Sequence, residues 1–199
     1  MEATMEKEPE IKEYSDTELI AEIKKGAAWA MDGLIKKYQK RVFNMIYGQC
    51  MNYDTAWDVS QETFIKAVKY IGNFRQESTF WTYLYRIAMN AFYDVKRRDR
   101  VRSKVSNFSE MTDEESKRSF EVRDMLNIEE DFDRKMARER IGEAMASLTD
   151  IQKEVFVLKN TEQLKIREIS GLLKISEGTV KSHLNRAMEK IKNALGGQS

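Results

Sequence analysis

Few side chains in this sequence could carry out enzyme chemistry, and those few stand apart from one another. His183 is the only histidine and Cys50 the only cysteine in 199 residues. No carboxylate, cysteine or second histidine lies at a spacing from His183 that would make a metal site or a nucleophile–base pair. No Gly-rich phosphate loop is visible either. The sequence therefore predicts a protein that is not an enzyme and has no cofactor or metal. Cys50 is interpreted as a small half-buried hydrophobic residue, with a redox signal as the alternative.

Residues 74–98 indicate a different chemistry, because aromatic and basic side chains share one predicted helix and the loop before it. The polar side of that helix carries Tyr83, Arg86, Asn90, Tyr93 and Arg97. Aromatic rings beside cations suit unstacked single-stranded bases, and a pocket where a loop holding Phe74 meets the helix suits a flipped base. The alternative is that the aromatic residues form core, which we favour for Phe80, Trp81 and Leu84.

Residues 164–190 carry a second pattern typical of DNA binding. A helix over 166–173 is predicted, followed by a tight turn and by Ser176 as the cap of another helix starting at Glu177. This is helix-turn-helix spacing, and it directs the second helix into a major groove. Its outward side chains can contact bases or phosphates: Thr179, Lys181, Ser182, His183, Asn185, Arg186 and, a turn later, Lys190. A solvated helical hairpin is the alternative.

The distribution of charge supports a polyanion partner although the net charge is only +1. Residues 91–104 hold six Lys or Arg against two Asp, whereas residues 109–133 hold ten acidic residues against three basic ones. A basic block followed by an acidic one is typical of a nucleic-acid surface beside a flexible segment.

The elements that must position these residues are predicted to be helices, since apolar residues recur at helical spacing and Pro occurs once. Ser15 and Glu18 have the spacing of a capping box, and Ser78 or Thr79 caps the aromatic helix, which is expected to end near Arg98. The predicted fold is all-α, with two small helical domains joined by a flexible linker. The boundaries are a mobile tail at 1–14, a first domain at 15–100, an acidic linker at 101–132 and a second domain at 133–199.

Two long motifs resemble those of sigma factors of the extracytoplasmic-function group (group 4) of the sigma-70 family. The first comprises Asp58, Gln61, Glu62, Phe64, Lys66 and Ala67, then Phe74, Ser78, Phe80, Leu84 to Ala88 and Asn90. The second comprises Ser147-Leu148, then residues 155–158, 168–170 and 175–187. Together they extend over about residues 16–100 and 137–192, in the order of the family's regions 2 and 4.

The resemblance implies an alternative sigma factor, which directs core RNA polymerase to promoters by recognising the −35 element and melting the −10 element. It places four residues on the clamp coiled coil of the largest polymerase subunit: Asp58, Gln61, Glu62 and Phe64. The −10 DNA would be bound by Tyr70, Phe74, Arg75, Ser78, Thr79, Tyr83, Arg86, Ile87, Asn90, Arg97 and Arg98. The −35 DNA would be bound by Lys159, Thr179, Lys181, Ser182, His183, Asn185, Arg186 and Lys190.

The resemblance further implies contact with the beta flap of the polymerase and inhibition by an anti-sigma factor. The protein would be cytoplasmic, including a pool that an anti-sigma factor holds near the membrane. The acidic linker is hypothesised to follow the RNA exit path of the polymerase.

Thr149 stands where the family usually has Pro, and a capping box with Gln152 can replace it. His183 and Asn185 also depart from the pattern, which leaves the −35 sequence open. A helix-turn-helix regulator that is not a polymerase subunit is the alternative function.

Overall fold

Side-chain caps begin three of the four helices described in the first half of the chain, and the helix after Ala27 has none. The structure, a computed structural model, describes residues 14–75, 77–106 and 140–196, and every regular element in those ranges is helical, which confirms the all-α prediction. Ser15 Oγ accepts from the Glu18 N–H (3.3 Å), as the capping box predicts. Thr79 Oγ1 accepts from the Thr82 N–H (3.2 Å), so Thr79 caps the aromatic helix. The helices of this half are α1 (Asp16–Lys24), α2 (Ala28–Cys50), α3 (Tyr53–Tyr70) and α4 (Phe80–Ser106).

A short 3-10 turn, Ile71–Asn73, links α3 to the loop that precedes α4. Helix α4 continues to Ser106, beyond its predicted end near Arg98. The physical reason is that this stretch contains no Gly or Pro, and Arg and Lys have high helix propensity. All of the predicted tail except Tyr14, and most of the predicted acidic linker, lie outside the described residues, and the domain boundaries stay a prediction.

The second half of the described chain contains four helical segments. Residues 140–146 are helical (α5), and three further helices follow: α6 (Asp150–Asn160), α7 (Ile166–Leu173) and α8 (Glu177–Gly196). At the start of α6, the Thr149 N–H donates to Gln152 Oε1 (3.1 Å), as expected where Pro is replaced. Among the described residues, no helix is both long and apolar enough to cross a membrane.

Each half of the chain packs around its own buried residues, and both belong to one continuous cluster of apolar side chains. The fully buried members of the first half include Leu34, Val42, Met45, Ile46, Val59 and Leu84. Those of the second half include Val155, Val157, Leu158, Ile169, Val180 and Ala187. The two sets meet where α6 lies against α2.

Candidate nucleic-acid interface

The helix-turn-helix is formed by α7 and α8 with the boundaries predicted. Lys174 ends α7 in the left-handed conformation (φ 56°), and the Thr179 N–H donates to Ser176 Oγ (3.0 Å) at the start of α8. Ser170 Oγ donates to the Ile175 carbonyl (2.6 Å), which holds the turn against α7. With its apolar side buried, α8 can present only its opposite side to a ligand.

Four of the predicted reading residues are exposed on α8: Lys181, Ser182, Asn185 and Arg186. Two others are less exposed than the sequence predicted. Thr179 is half-buried, and its hydroxyl pairs with that of Ser176 (2.8 Å). His183 is also half-buried, and its Nδ1 is buried without a hydrogen-bond partner among the described residues. His183 therefore lies at the edge of the outward face of α8. Helical spacing alone does not distinguish the edge of that face from its centre.

The two lysines predicted to lie near the −35 DNA make contacts within the protein. Lys190 Nζ donates to the Ser147 carbonyl (3.1 Å), which connects α8 to the segment before α6. Lys159 Nζ donates to the Leu164 carbonyl (3.2 Å) and so braces the connection between α6 and α7. Each ammonium group has donors left for a phosphate.

The loop before α4 is anchored by an aromatic cluster. Phe74 is buried, with its ring centroid 5.9 Å from that of Phe80 and 5.0 Å from that of Tyr83. Lys24 Nζ donates to the Phe74 carbonyl (3.0 Å), and Tyr83 Oη donates to the Ala67 carbonyl (3.2 Å). Phe74 therefore supports the loop, and its ring is not exposed for stacking on a DNA base in this structure.

The remaining residues predicted for −10 DNA lie at or near the surface. Ser78 and Ile87 are half-buried, and the exposed ones are Tyr70, Arg75, Thr79, Arg86, Asn90, Arg97 and Arg98. Arg97 Nη2 pairs with Asp94 Oδ1 at 2.7 Å, and the pair is exposed and so only weakly stabilising. The helix thus presents a basic and amide-bearing surface above a core that contains Phe80, Trp81 and Leu84, the three aromatic or apolar residues predicted to be core.

The residues predicted to contact polymerase lie on α3. Asp58 and Gln61 are exposed, and Glu62 pairs with Lys66 (2.7 Å). Beside them are two cavities. One of about 810 Å³ is lined mainly by charged residues, with Asp58 and Glu62 from α3 and Arg97, Arg98 and Arg102 from α4. An apolar one of about 340 Å³ is lined by Gln61 and Phe64 together with Phe43, Trp57, Ile65 and Val68. Exposed Trp57 and Ile65 make this face of α3 suitable for a protein partner.

Sequence reasoning missed one buried polar group, the carboxylate of Glu154. Glu154 is 7% exposed on α6 and accepts hydrogen bonds from the hydroxyls of Tyr85 and Tyr93 on α4. Burial raises the pKa of this carboxyl above the usual range, and the two tyrosine hydrogen bonds oppose that rise only in part. The available signal was an acid directly before Val155 and one turn before Leu158, on the apolar side of α6.

A compact helical body with a basic, aromatic helix and a helix-turn-helix defines a DNA-binding protein, and comparisons with known proteins specify the family. The Sigma-70 region 2 family model matches residues 34–102, and the Sigma-70, region 4 model matches residues 138–191. The chain is 33% identical over 184 residues to the RNA polymerase sigma-H factor of Pseudomonas aeruginosa, covering 90% of this chain and 93% of that protein. It is 28% identical to the ECF RNA polymerase sigma-E factor of Escherichia coli, covering 91% and 94%.

Solved structures share the fold. CnrH, determined in complex with the cytosolic domain of CnrY, matches with a TM-score of 0.66 at 20% identity and covers 92% of this chain and 99% of its own. The Bartonella quintana sigma factor RpoE, determined in complex with the anti-sigma factor NepR, matches with a TM-score of 0.62 at 17% identity, covering 84% and 98%.

The chain belongs to the sigma-70 family of RNA polymerase sigma factors and is of the extracytoplasmic-function type. It is accordingly an alternative sigma factor, which directs core polymerase to promoters by recognising the −35 element and melting the −10 element. Members of this family are initiation factors and not enzymes.

Proposed function

We propose that α8 reads the −35 element and that α4, with the loop before it, binds the −10 element. The observation that carries the first assignment is the exposed row Lys181, Ser182, Asn185 and Arg186 on the N-terminal half of α8, directly after the Ser176 cap. Hydroxyl and amide groups can read base edges there, and the cations can bind phosphate or guanine. The same DNA contact would be extended at its edges by four further residues: Lys159, Thr179, His183 and Lys190.

The proposed −10 contact relies on the exposed and half-buried residues of α4 and its loop. Arg86 and Asn90 lie one turn apart on α4, so that a base and a neighbouring phosphate can be contacted together. Tyr70 and Arg75 lie at the start of the loop and can stack on an unpaired base. Phe74 and Tyr83 hold this surface in shape from beneath.

Core polymerase is proposed to bind α3 through Asp58, Gln61, Glu62 and Phe64. Exposed carboxylate and amide groups beside an apolar groove fit a partner surface that is partly basic and partly apolar. We place the contact on the clamp coiled coil of the largest subunit, with the second half of the chain on the beta flap. The protein would act in the bacterial cytoplasm, where core polymerase is found.

An anti-sigma factor is proposed as the regulatory partner. The support is that the related RpoE fold was determined in complex with an anti-sigma factor. The apolar groove at Trp57, Phe64 and Ile65 is the part of the surface where such a partner would compete with polymerase.

The assignment of α8 can be tested with a matched pair of variants in transcription by reconstituted holoenzyme. Arg186→Ala should lower transcription from a promoter that needs its −35 element by roughly 5- to 150-fold, because one base contact contributes about 1–3 kcal/mol. Lys192→Ala removes an exposed charge further along α8 and should change transcription less than about twofold. Equal loss in both variants would mean that α8 contributes only general electrostatics.

The alternative function, a regulator that is not a polymerase subunit, predicts a different result in the same assay. Such a protein would bind duplex promoter DNA tightly without core polymerase and would select no start site. Duplex binding by the free chain therefore separates the two functions.

A further inference from the structure

Lys24, the last residue of α1, contacts the loop before α4 from a distant part of the sequence. Its Nζ donates to the Phe74 carbonyl at 3.0 Å, across 50 residues of chain. The Sigma-70 region 2 model begins to match at residue 34, so α1 precedes the segment that it matches. Lys24 is therefore bonded to a surface that we assign to −10 DNA, although it lies outside the family match.

Helix α1 is fixed to α2 at its other end. Asp16, in the first turn of α1, accepts hydrogen bonds from Lys37 Nζ and Tyr38 Oη, both on α2. Between the two ends of the helix, the side chains of Leu19 and Ile20 are buried in the core. The ammonium group at the end of α1 is therefore held by a helix that has a defined position on α2.

The backbone of Phe74 is held where the chain leaves the 3-10 turn. Its N–H donates to the Ile71 carbonyl (3.0 Å), and its ring is buried in the aromatic cluster described above. Lys24 binds the remaining backbone group of Phe74, the carbonyl. That carbonyl shares a planar peptide group with the N–H of Arg75, so fixing it also fixes the direction in which the exposed loop begins.

The next residue, Lys25, has the same charge and a different contact. Both lysines are exposed at the end of α1, where a cation interacts favourably with the helix dipole. Lys25 Nζ pairs with Glu22 on the same helix at 2.7 Å. A general effect of charge would therefore be shared by Lys24 and Lys25, whereas the hydrogen bond to Phe74 is made by Lys24.

We propose that Lys24 is a positioning residue for recognition of the −10 element, which acts on DNA only through the loop that it holds at Phe74. The residues that it orients are Arg75, Ser78 and Thr79. The inference rests on the proposed −10 function of this loop. A loop that is ordered before binding loses less conformational entropy when DNA binds. Ordering the backbone of one residue in advance corresponds to about 5- to 30-fold in affinity.

The variants Lys24→Met and Lys25→Met form a matched pair, because each removes one ammonium group from the same end of α1. Their effects on the general attraction to DNA should be equal. Reconstituted holoenzyme with Lys24→Met should transcribe about 5- to 30-fold less from a promoter that wild-type holoenzyme selects from a randomised library. Lys25→Met should lower transcription less than about twofold. Lys24→Arg keeps a charged donor and should restore most of the transcription. Equal activity of the two Met variants, or no restoration by Arg, would overturn the proposal.

Discrimination between the two promoter elements separates positioning of the loop from general damage. A single base change in either element should lower transcription by wild-type holoenzyme by roughly 5- to 150-fold. In Lys24→Met the loss caused by the −10 change should be at least about threefold smaller than in wild type, and the loss caused by the −35 change should stay the same. Lower transcription with both losses unchanged would mean that Lys24 supports folding or polymerase binding, and would overturn the proposal.

Amide hydrogen exchange in the free full-length chain tests the contact without a promoter. Exchange in peptides that span residues 71–80 should be roughly three- to tenfold faster in Lys24→Met than in wild type and unchanged in Lys25→Met. The two variants should unfold at the same temperature. Unchanged exchange in Lys24→Met would overturn the proposal, and so would a lower unfolding temperature in that variant alone. If exchange rises as expected but wild-type holoenzyme selects no promoter, the proposed function has failed and the contact to the loop remains.

Discussion

At the scale of single residues, the buried carboxylates between the two regions have a consequence for pH. The pKa values of Glu154 and Glu162 are both raised, chiefly by burial, although hydrogen bonds to Glu154 and the Arg41 partner of Glu162 act in the opposite direction. The groups that act on Glu154 are Tyr85 and Tyr93 on α4 and Asp150 on its own helix, and Asp150 is itself paired with Lys96 of α4. The chain with α6 packed against α2 and α4, called here the packed state, therefore holds protons more tightly than a chain in which that contact is broken.

The direction of the pH effect follows from linkage. A carboxyl whose pKa is higher in the packed state stabilises that state below the ordinary pKa of 4.5. The stabilisation is lost as pH rises through the raised pKa. Small-angle scattering should therefore give a smaller radius of gyration at pH 5 than at pH 8. In the variant Glu154→Gln/Glu162→Gln the radius should not change between these pH values. A wild-type radius that increases on acidification would contradict this.

Ile169 is the residue whose removal should most directly weaken the helix-turn-helix. Its side chain is fully buried where α7 packs on α8, so Ile169→Ala leaves a cavity. The expected loss is about 2–5 kcal/mol in the free energy of unfolding, measured by denaturant titration of the full chain. Ile141→Ala, at a side chain that is 47% exposed, should cost less than about 0.5 kcal/mol. Similar losses in the two variants would show that Ile169 is not a core residue.

At the scale of elements, the turn of the helix-turn-helix contains a correctable strain. Lys174 has φ 56°, a left-handed conformation that a non-glycine residue adopts at a cost. Lys174→Gly should raise the free energy of unfolding by about 1 kcal/mol. Lys192→Gly, in the interior of α8, should lower it by about 1 kcal/mol, because glycine is a poor helix former. Thermal unfolding of the two variants should therefore shift in opposite directions, and a shared direction would contradict the assigned turn.

Local signals explain how well the elements could be predicted. The helix-turn-helix boundaries followed from Ser176 and from the apolar spacing of residues 166–187, and the capping pair of Ser15 and Glu18 fixed the start of α1. The end of α4 was predicted too early, because charge was taken as a sign of linker where no helix breaker occurs. Capping and helix breaking depend on residues no more than four positions apart. These signals can therefore be recognised in a single sequence.

Site residues were predicted less completely, because their surroundings depend on distant parts of the chain. Phe74 and His183 had the right residue types for a nucleic-acid surface, yet Phe74 is packed on Phe80, and His183 is half-buried. Glu154 was not singled out, since its partners Tyr85 and Tyr93 lie more than sixty residues earlier in the chain. Contacts of this separation leave no trace in local spacing.

At the scale of the whole molecule, two helical regions, each with a proposed DNA surface, pack against each other through α2, α4 and α6. Region 2 contributes the basic helix α4 and the helix α3, which we propose as the polymerase contact, and region 4 contributes the helix-turn-helix. Both proposed surfaces must act together on one promoter, since each alone buries too little surface for tight specific binding. The spacing between the −35 and −10 elements should therefore matter as strongly as their sequences.

Transcription by core RNA polymerase on a library of randomised promoters tests the central claim most directly. With this protein added, start sites should be confined to templates that share one upstream and one downstream element at a fixed spacing, and core polymerase alone should select none. Sequencing of the transcripts would also supply the −35 sequence that His183 and Asn185 leave open. Transcripts that begin at the same positions with and without the protein would contradict its assignment as a sigma factor.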